Sequence, residues 1–122
     1  MIFIIIARFW YSLPPSETPK LEKFARQQFP DGFSKCKEYL RHKTLMISPY
    51  VLKHHVPDIK IHKMIHYPGE FVVTMGGAYH AGFNWGFNVA EAVNFATTRW
   101  LDLFENAAVR LLLLCFTPDS AL

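Results

Sequence analysis

The sequence is poor in the features that mark special classes of protein. It has two cysteines, Cys36 and Cys115, in 122 residues. That is too few for a disulfide framework, and a reducing compartment is the natural expectation. Neither charge sign dominates: 13 Lys and Arg against 10 Asp and Glu leave a net charge of +3. This reads as a normally solvated surface and carries no direct nucleic-acid signal. The apolar ends, residues 1–7 (MIFIIIA) and 111–116 (LLLLCF), fall far short of the roughly 20 residues of a membrane-spanning helix. No basic stretch precedes the first and no small-residue cleavage site follows it, so a buried strand is expected there rather than a signal peptide, and no membrane partner. Repeats and low-complexity tracts are lacking as well. Apolar bulk is abundant: 51% hydrophobic and 16% aromatic residues exclude disorder, and the length allows one domain. The two sticky ends also suit a domain that belongs to something larger.

Periodicity and punctuation predict α+β architecture. Residues 3–11 read as a strand, stopped by Pro14-Pro15. Thr18-Pro19 opens a helix with a capping hydroxyl and a proline in its first turn. Leu21, Phe24, Ala25 and Phe29 lie along one face of it, and Pro30-Asp31-Gly32 ends it. Ser34 is expected to cap a short helix carrying Cys36, Tyr39 and Leu40, and Ser48-Pro49 to start another over residues 50–54. Ile59, Ile61 and Ile65 alternate as on a strand. Tyr67-Pro68-Gly69 would turn it into a second strand, residues 70–75, making a hairpin. Trp100, Leu103, Phe104, Ala107, Ala108 and Leu111 repeat at helical spacing, the stripe of a final amphipathic helix. The strands are expected to be antiparallel, part of a jelly roll or barrel with short flanking helices.

The densest chemistry lies in residues 69–100, GEFVVTMGGAYHAGFNWGFNVAEAVNFATTRW. His80 stands in a turn between two strand-like runs, residues 70–75 and 89–96. Gly76, Gly77, Gly82 and Gly86 let the backbone there pass close to a neighbour. Taken alone, one loop histidine reads as a hydrogen-bonded structural residue. Its surroundings add more. The run Tyr79-His80-Ala81-Gly82-Phe83-Asn84, then Gly86-Phe87-Asn88, Ala90-Glu91 and Asn94-Phe95-Ala96, resembles the C-terminal half of a JmjC domain. That domain is the Fe(II)- and 2-oxoglutarate-dependent oxygenase module of histone lysine demethylases. The resemblance runs over residues 8–107 and implies a partial JmjC domain over 1–122, with a cupin-like jelly-roll fold.

Several site residues follow from the resemblance. His80 would be the last of three iron ligands; a triad of two histidines and a carboxylate leaves open positions on iron for a 2-oxoacid and O₂. Arg8-Phe9-Trp10-Tyr11-Ser12-Leu13-Pro14-Pro15 looks like the family's PKxWYxVPP segment. Arg8 would then stand where a lysine holds the far carboxylate of 2-oxoglutarate, and Trp10 would line the co-substrate pocket. On the residues alone, Arg8 reads equally as a surface arginine and Trp10 as core. SKCKEYLRHKTLMISP, residues 34–49, resembles a segment of the Jumonji-2 type demethylases in which a cysteine and a histidine give half of a structural zinc site. Cys36 and His42 match them. Asn94 would sit beside the methylated lysine, and Lys43 near the oxygen-binding side; Asn94 could equally satisfy neighbouring backbone. A histone H3 tail or chromatin as partner and a nuclear location are implied in the same way.

The departures are as specific as the matches. The family's other two iron ligands come as His-x-Asp or His-x-Glu, and none of the six histidines here has a carboxylate two residues later. The Cys-x-Cys pair completing the zinc site is missing from residues 108–112. Zinc is therefore doubtful, and a buried free cysteine is expected at Cys36. Met75-Gly76-Gly77-Ala78 replaces an FPYG-like stretch. His54, His55, His62 and His66 are expected on the surface or in the hairpin, with His62 and His66 too far apart along a strand to share a metal. Two readings stand: a portion of a JmjC histone lysine demethylase, inactive alone, or a degenerate JmjC module with a chromatin-binding or scaffold role. A small β-barrel binding module unrelated to oxygenases would have to treat the match as chance.

Overall fold

A computed structural model describes residues 6–105. In chain order it contains β1 (Arg8–Ser12), a 3-10 turn (Pro15–Glu17), α1 (Thr18–Gln28), α2 (Pro30–Lys35), a second 3-10 turn (Tyr39–His42), α3 (Pro49–His55), β2 (His62–His66), β3 (His80–Asn84) and α4 (Thr98–Glu105). The strands form one antiparallel sheet in the order β2-β1-β3, with small helices at its end. This is the expected α+β arrangement. No described helix is long and apolar enough to cross a membrane.

The helices follow local chemistry. Pro19 lies in the first turn of α1, where its missing N–H costs nothing. Leu21, Phe24 and Ala25 are the buried residues of that helix, the face the spacing predicted. Ser48 caps α3, its hydroxyl accepting from the Tyr50 N–H at 3.3 Å. Leu13, Leu21, Phe24, Leu52 and Ile59 make the core, with Leu40, Ile47, Val56, Ile61 and Tyr79 packed against it. Lys20 ties α1 to the loop before β2, reaching Glu17 at 3.0 Å and Asp58 at 2.8 Å. The ion pair with Asp58 holds that carboxyl below its usual range and the Lys20 ammonium above its own.

Several expectations are corrected. Pro30 starts α2 rather than only ending α1; proline suits a first turn as well as it blocks a continuing one. Ser34 lies inside α2 and bonds back to the Asp31 carbonyl, and the turn carrying Tyr39 and Leu40 is 3-10. The predicted hairpin is not formed. β2 pairs with β1, while residues 70–75 carry no regular structure and leave Phe71, Val73 and Met75 exposed. β-branched composition says that a segment fits a pleated surface, not that a neighbour is there to pair with it. Residues 89–96 are likewise irregular and exposed. Cys36 is buried as expected but is disulfide-bonded rather than free; such pairing rests on tertiary proximity that spacing does not reveal. Of the strand expected over residues 1–7, residues 1–5 lie outside the described residues and residues 6–7 are irregular; the end of the final helix and the run 111–116 also lie outside.

Candidate functional site

The register of β1 builds the site. Arg8, Trp10 and Ser12 alternate onto one face. Arg8 lies between His66 and Asn84, Trp10 between Met64 and Gly82, and Ser12 between His62 and His80. None of these nine residues is a carboxylate, while the set holds one permanent cation, Arg8. Such a face suits an anionic ligand. A cavity of about 400 Å³ opens on it, lined among others by Trp10, Ser12, His62, Met64, Phe71 and His80.

His80 is the first residue of β3 and is exposed at the cavity wall. Its ring centroid lies 6.0 Å from that of Trp10. Nδ1 is 3.2 Å from the carbonyl oxygen of Ala78. A carbonyl only accepts, so Nδ1 carries the proton and the neutral ring keeps its lone pair on Nε2. Metal-binding histidines are oriented by such a bond on the second nitrogen.

Tyr79 anchors this histidine. Its carbonyl accepts from the Leu13 N–H at 2.9 Å, and its hydroxyl donates to Glu22 of α1 at 3.0 Å. Burial, and next the Glu22 charge, push the phenol up to about 12. Raised above the ordinary 10.0, it contributes stability that is whole below pH 10 and is lost as the pH climbs toward 12. Tyr79→Phe should therefore cost about 1 kcal/mol at neutral pH and flatten the alkaline loss. Urea unfolding at pH 7 and at pH 11 checks both; an unchanged alkaline slope would contradict the assignment.

Arg8 stacks on Trp10, with Cζ 4.2 Å from the ring centroid. Its Nε is buried and has no hydrogen-bond partner among the described residues. Gly82 makes room for this stack: a Cβ there would lie 3.3 Å from Trp10 Cε3 and 2.4 Å from the Phe9 carbonyl oxygen. Below the site, Gly77 (φ +82°) turns the chain into β3, and Leu103 of α4 packs over Gly76.

The structure thus gathers His80, Trp10 and Arg8 on one sheet face. It does not seat the other expected residues there. Asn94 is exposed in the irregular stretch after β3 and does not line the cavity, and Lys43, at φ +58°, ends the second 3-10 turn in an exposed position. His66 was missed altogether. Expected on the surface or in the hairpin, it is 1% exposed and contacts Trp10 through its ring nitrogen. The period-2 pattern of residues 62–66 put it on the same face as His62, but only the pairing of β2 with β1 reveals what covers it.

No group of three His, Cys, Asp or Glu side chains among the described residues is placed to hold a metal ion. For zinc, Cys36 is disulfide-bonded and a structural site wants four ligands. The purified chain should carry well under one zinc per molecule; one full equivalent, lost on Cys36→Ala, would contradict this and implicate Cys115.

The pattern described as "JmjC domain, hydroxylase" matches residues 6–95. Over 93 residues, or 76% of this chain, the sequence is 50% identical to human "Probable lysine-specific demethylase 4F", covering 14% of that protein. It is 48% identical to rat "Lysine-specific demethylase 4D" over 18% of its length, and 45% identical to mouse "Lysine-specific demethylase 4B" over 8%. The chain therefore spans less than a fifth of these relatives. With 90 residues covered by the domain pattern, the chain belongs to the JmjC domain family.

Proposed function

We propose that this chain supplies the co-substrate side and the last metal ligand of a JmjC histone lysine demethylase site, and that alone it does not catalyse the reaction. The observation that carries the proposal is the convergence of His80, Trp10 and Arg8 on one face of the sheet. In the family reaction, iron, 2-oxoglutarate and O₂ together oxidise an N-methyl group, which leaves as formaldehyde.

The residues fit the co-substrate better than the metal. The buried, unpartnered Nε of Arg8 is a donor that a carboxylate satisfies, and a guanidinium can grip a carboxylate at two points. Trp10 orients that guanidinium and walls the cavity. For iron the fit is incomplete. His80 offers one imidazole with a free Nε2 lone pair, and the sequence has no His-x-Asp or His-x-Glu to complete the triad. We assign Asn94 and Lys43 to the substrate side on sequence match, with a methylated histone H3 tail as substrate class and the nucleus as location.

The same missing ligands favour a second reading, a degenerate JmjC module that binds chromatin without catalysis. Formaldehyde release from a trimethyl-lysine histone peptide separates the two: none is expected from this chain, and turnover is expected once an upstream His-x-Glu or His-x-Asp is supplied.

A further inference from the structure

His66 has no part in that account, yet it is among the most buried side chains described, at 1% exposure. It is the register partner of Arg8 across the β1–β2 ladder, on the site face. Its two ring nitrogens meet groups of opposite kind. Nε2 lies 2.9 Å from the carbonyl oxygen of Glu70, which only accepts, and Nδ1 lies 3.5 Å from the indole Nε1–H of Trp10, which only donates. The partners therefore specify a neutral ring with its proton on Nε2. The Glu70 end is itself fixed. Glu70 sits past the turn at Gly69 (φ +85°), its N–H bonded to the Tyr67 carbonyl and its carboxylate to the Tyr67 N–H at 2.8 Å.

From these contacts we infer that His66 is a positioning residue for the carboxylate-binding arginine. The order runs from the Glu70 carbonyl to His66, from His66 to the Trp10 indole, and from the indole face to the Arg8 guanidinium 4.2 Å above it. Trp10 has Gly82 opposite it on β3, which offers the ring no side chain to lean on. Among its contacts, the one to His66 is the hydrogen bond to the indole N–H, and on this inference it fixes the ring's rotation. A tilted indole would carry the guanidinium away from the place where its buried Nε can meet a carboxylate. Any buried imidazole needs both nitrogens satisfied; what sets His66 apart is that one of its partners is the indole carrying the Arg8 guanidinium. The inference rests on the proposed co-substrate role of Arg8.

The test uses the 122-residue chain and 2-oxoglutarate as probe. The readouts are the Trp10 indole ¹H–¹⁵N resonance, assigned by its loss in Trp10→Phe, and the 2-oxoglutarate affinity from the same titration. His66→Leu, which keeps bulk and removes both polar contacts, should move the indole resonance upfield and weaken 2-oxoglutarate about tenfold. His66→Gln can present an acceptor to the indole and a donor to Glu70, so it should restore both. If His66→Leu does not fold, Trp10→Phe carries the affinity prediction, since it keeps a ring under Arg8 and deletes the N–H. Leu and Gln variants that behave alike, or an indole resonance indifferent to His66→Leu, would overturn the inference. An indole that responds as described in a wild-type chain that binds no 2-oxoglutarate would support the clamp and refute the role of Arg8.

Discussion

Gly82→Ala is expected to destabilise this chain by about 3 kcal/mol, the upper part of the range for overpacking a closed site. The added methyl would lie 2.4 Å from the Phe9 carbonyl oxygen and 3.3 Å from the Trp10 ring. The first contact is with backbone held in the β1–β3 ladder, so it cannot be relieved by rotating a side chain. A loss of that size is a large fraction of the roughly 5–15 kcal/mol that holds a domain together. Gly86→Ala is the control: Gly86 is exposed, its methyl would meet, among the described residues, only Ile6 Cδ1 at 3.4 Å, and the change should cost little. Urea midpoints of the two variants decide the matter, with unchanged slopes showing that stability and not compactness has moved. Equal midpoints would mean that the β1–β3 approach is looser than described.

Much of this arrangement is legible in the sequence, and the parts that are not share a cause. The apolar face of α1, the Ser48 cap and the start of β1's exit at Pro14-Pro15 rest on neighbours within a few residues, and they came out as local rules predict. The resemblance implied a role for Trp10 and for His80, but it is the β1–β3 register that sets the two on one face. What local rules misjudge is partnership. Gly82 argued for a loop at residues 76–86, yet it sits mid-strand because only a glycine fits against Trp10 and the Phe9 carbonyl. Residues 70–75 have strand composition but no ladder among the described residues, although β2 is an edge strand that pairs there only with β1. His66 reads as a polar hairpin residue until β1 is laid beside it.

The second large effect concerns catalysis. Activity should go from undetectable to measurable when the chain is extended by an upstream JmjC half bearing His-x-Glu or His-x-Asp. One imidazole gives a metal neither the affinity nor the geometry of a three-ligand site, so His80 alone should not retain iron. The carboxylate pocket proposed at Arg8 and Trp10 does not change this, because without a bound metal there is no activation of oxygen. In the extended chain His80→Ala should abolish turnover, because it removes the metal ligand that we propose this segment contributes. Arg8→Ala should chiefly raise the 2-oxoglutarate requirement, since the role proposed for the arginine is to hold the co-substrate carboxylate.

The most direct measurement is Fe(II)- and 2-oxoglutarate-dependent formaldehyde release from a trimethyl-lysine histone peptide, made with the 122-residue chain, the extended chain and each with His80→Ala. The account predicts release by the extended chain alone, lost on His80→Ala. Release by the 122-residue chain that survives His80→Ala would contradict the site described, and release by none of the four would leave the non-catalytic module standing in its place.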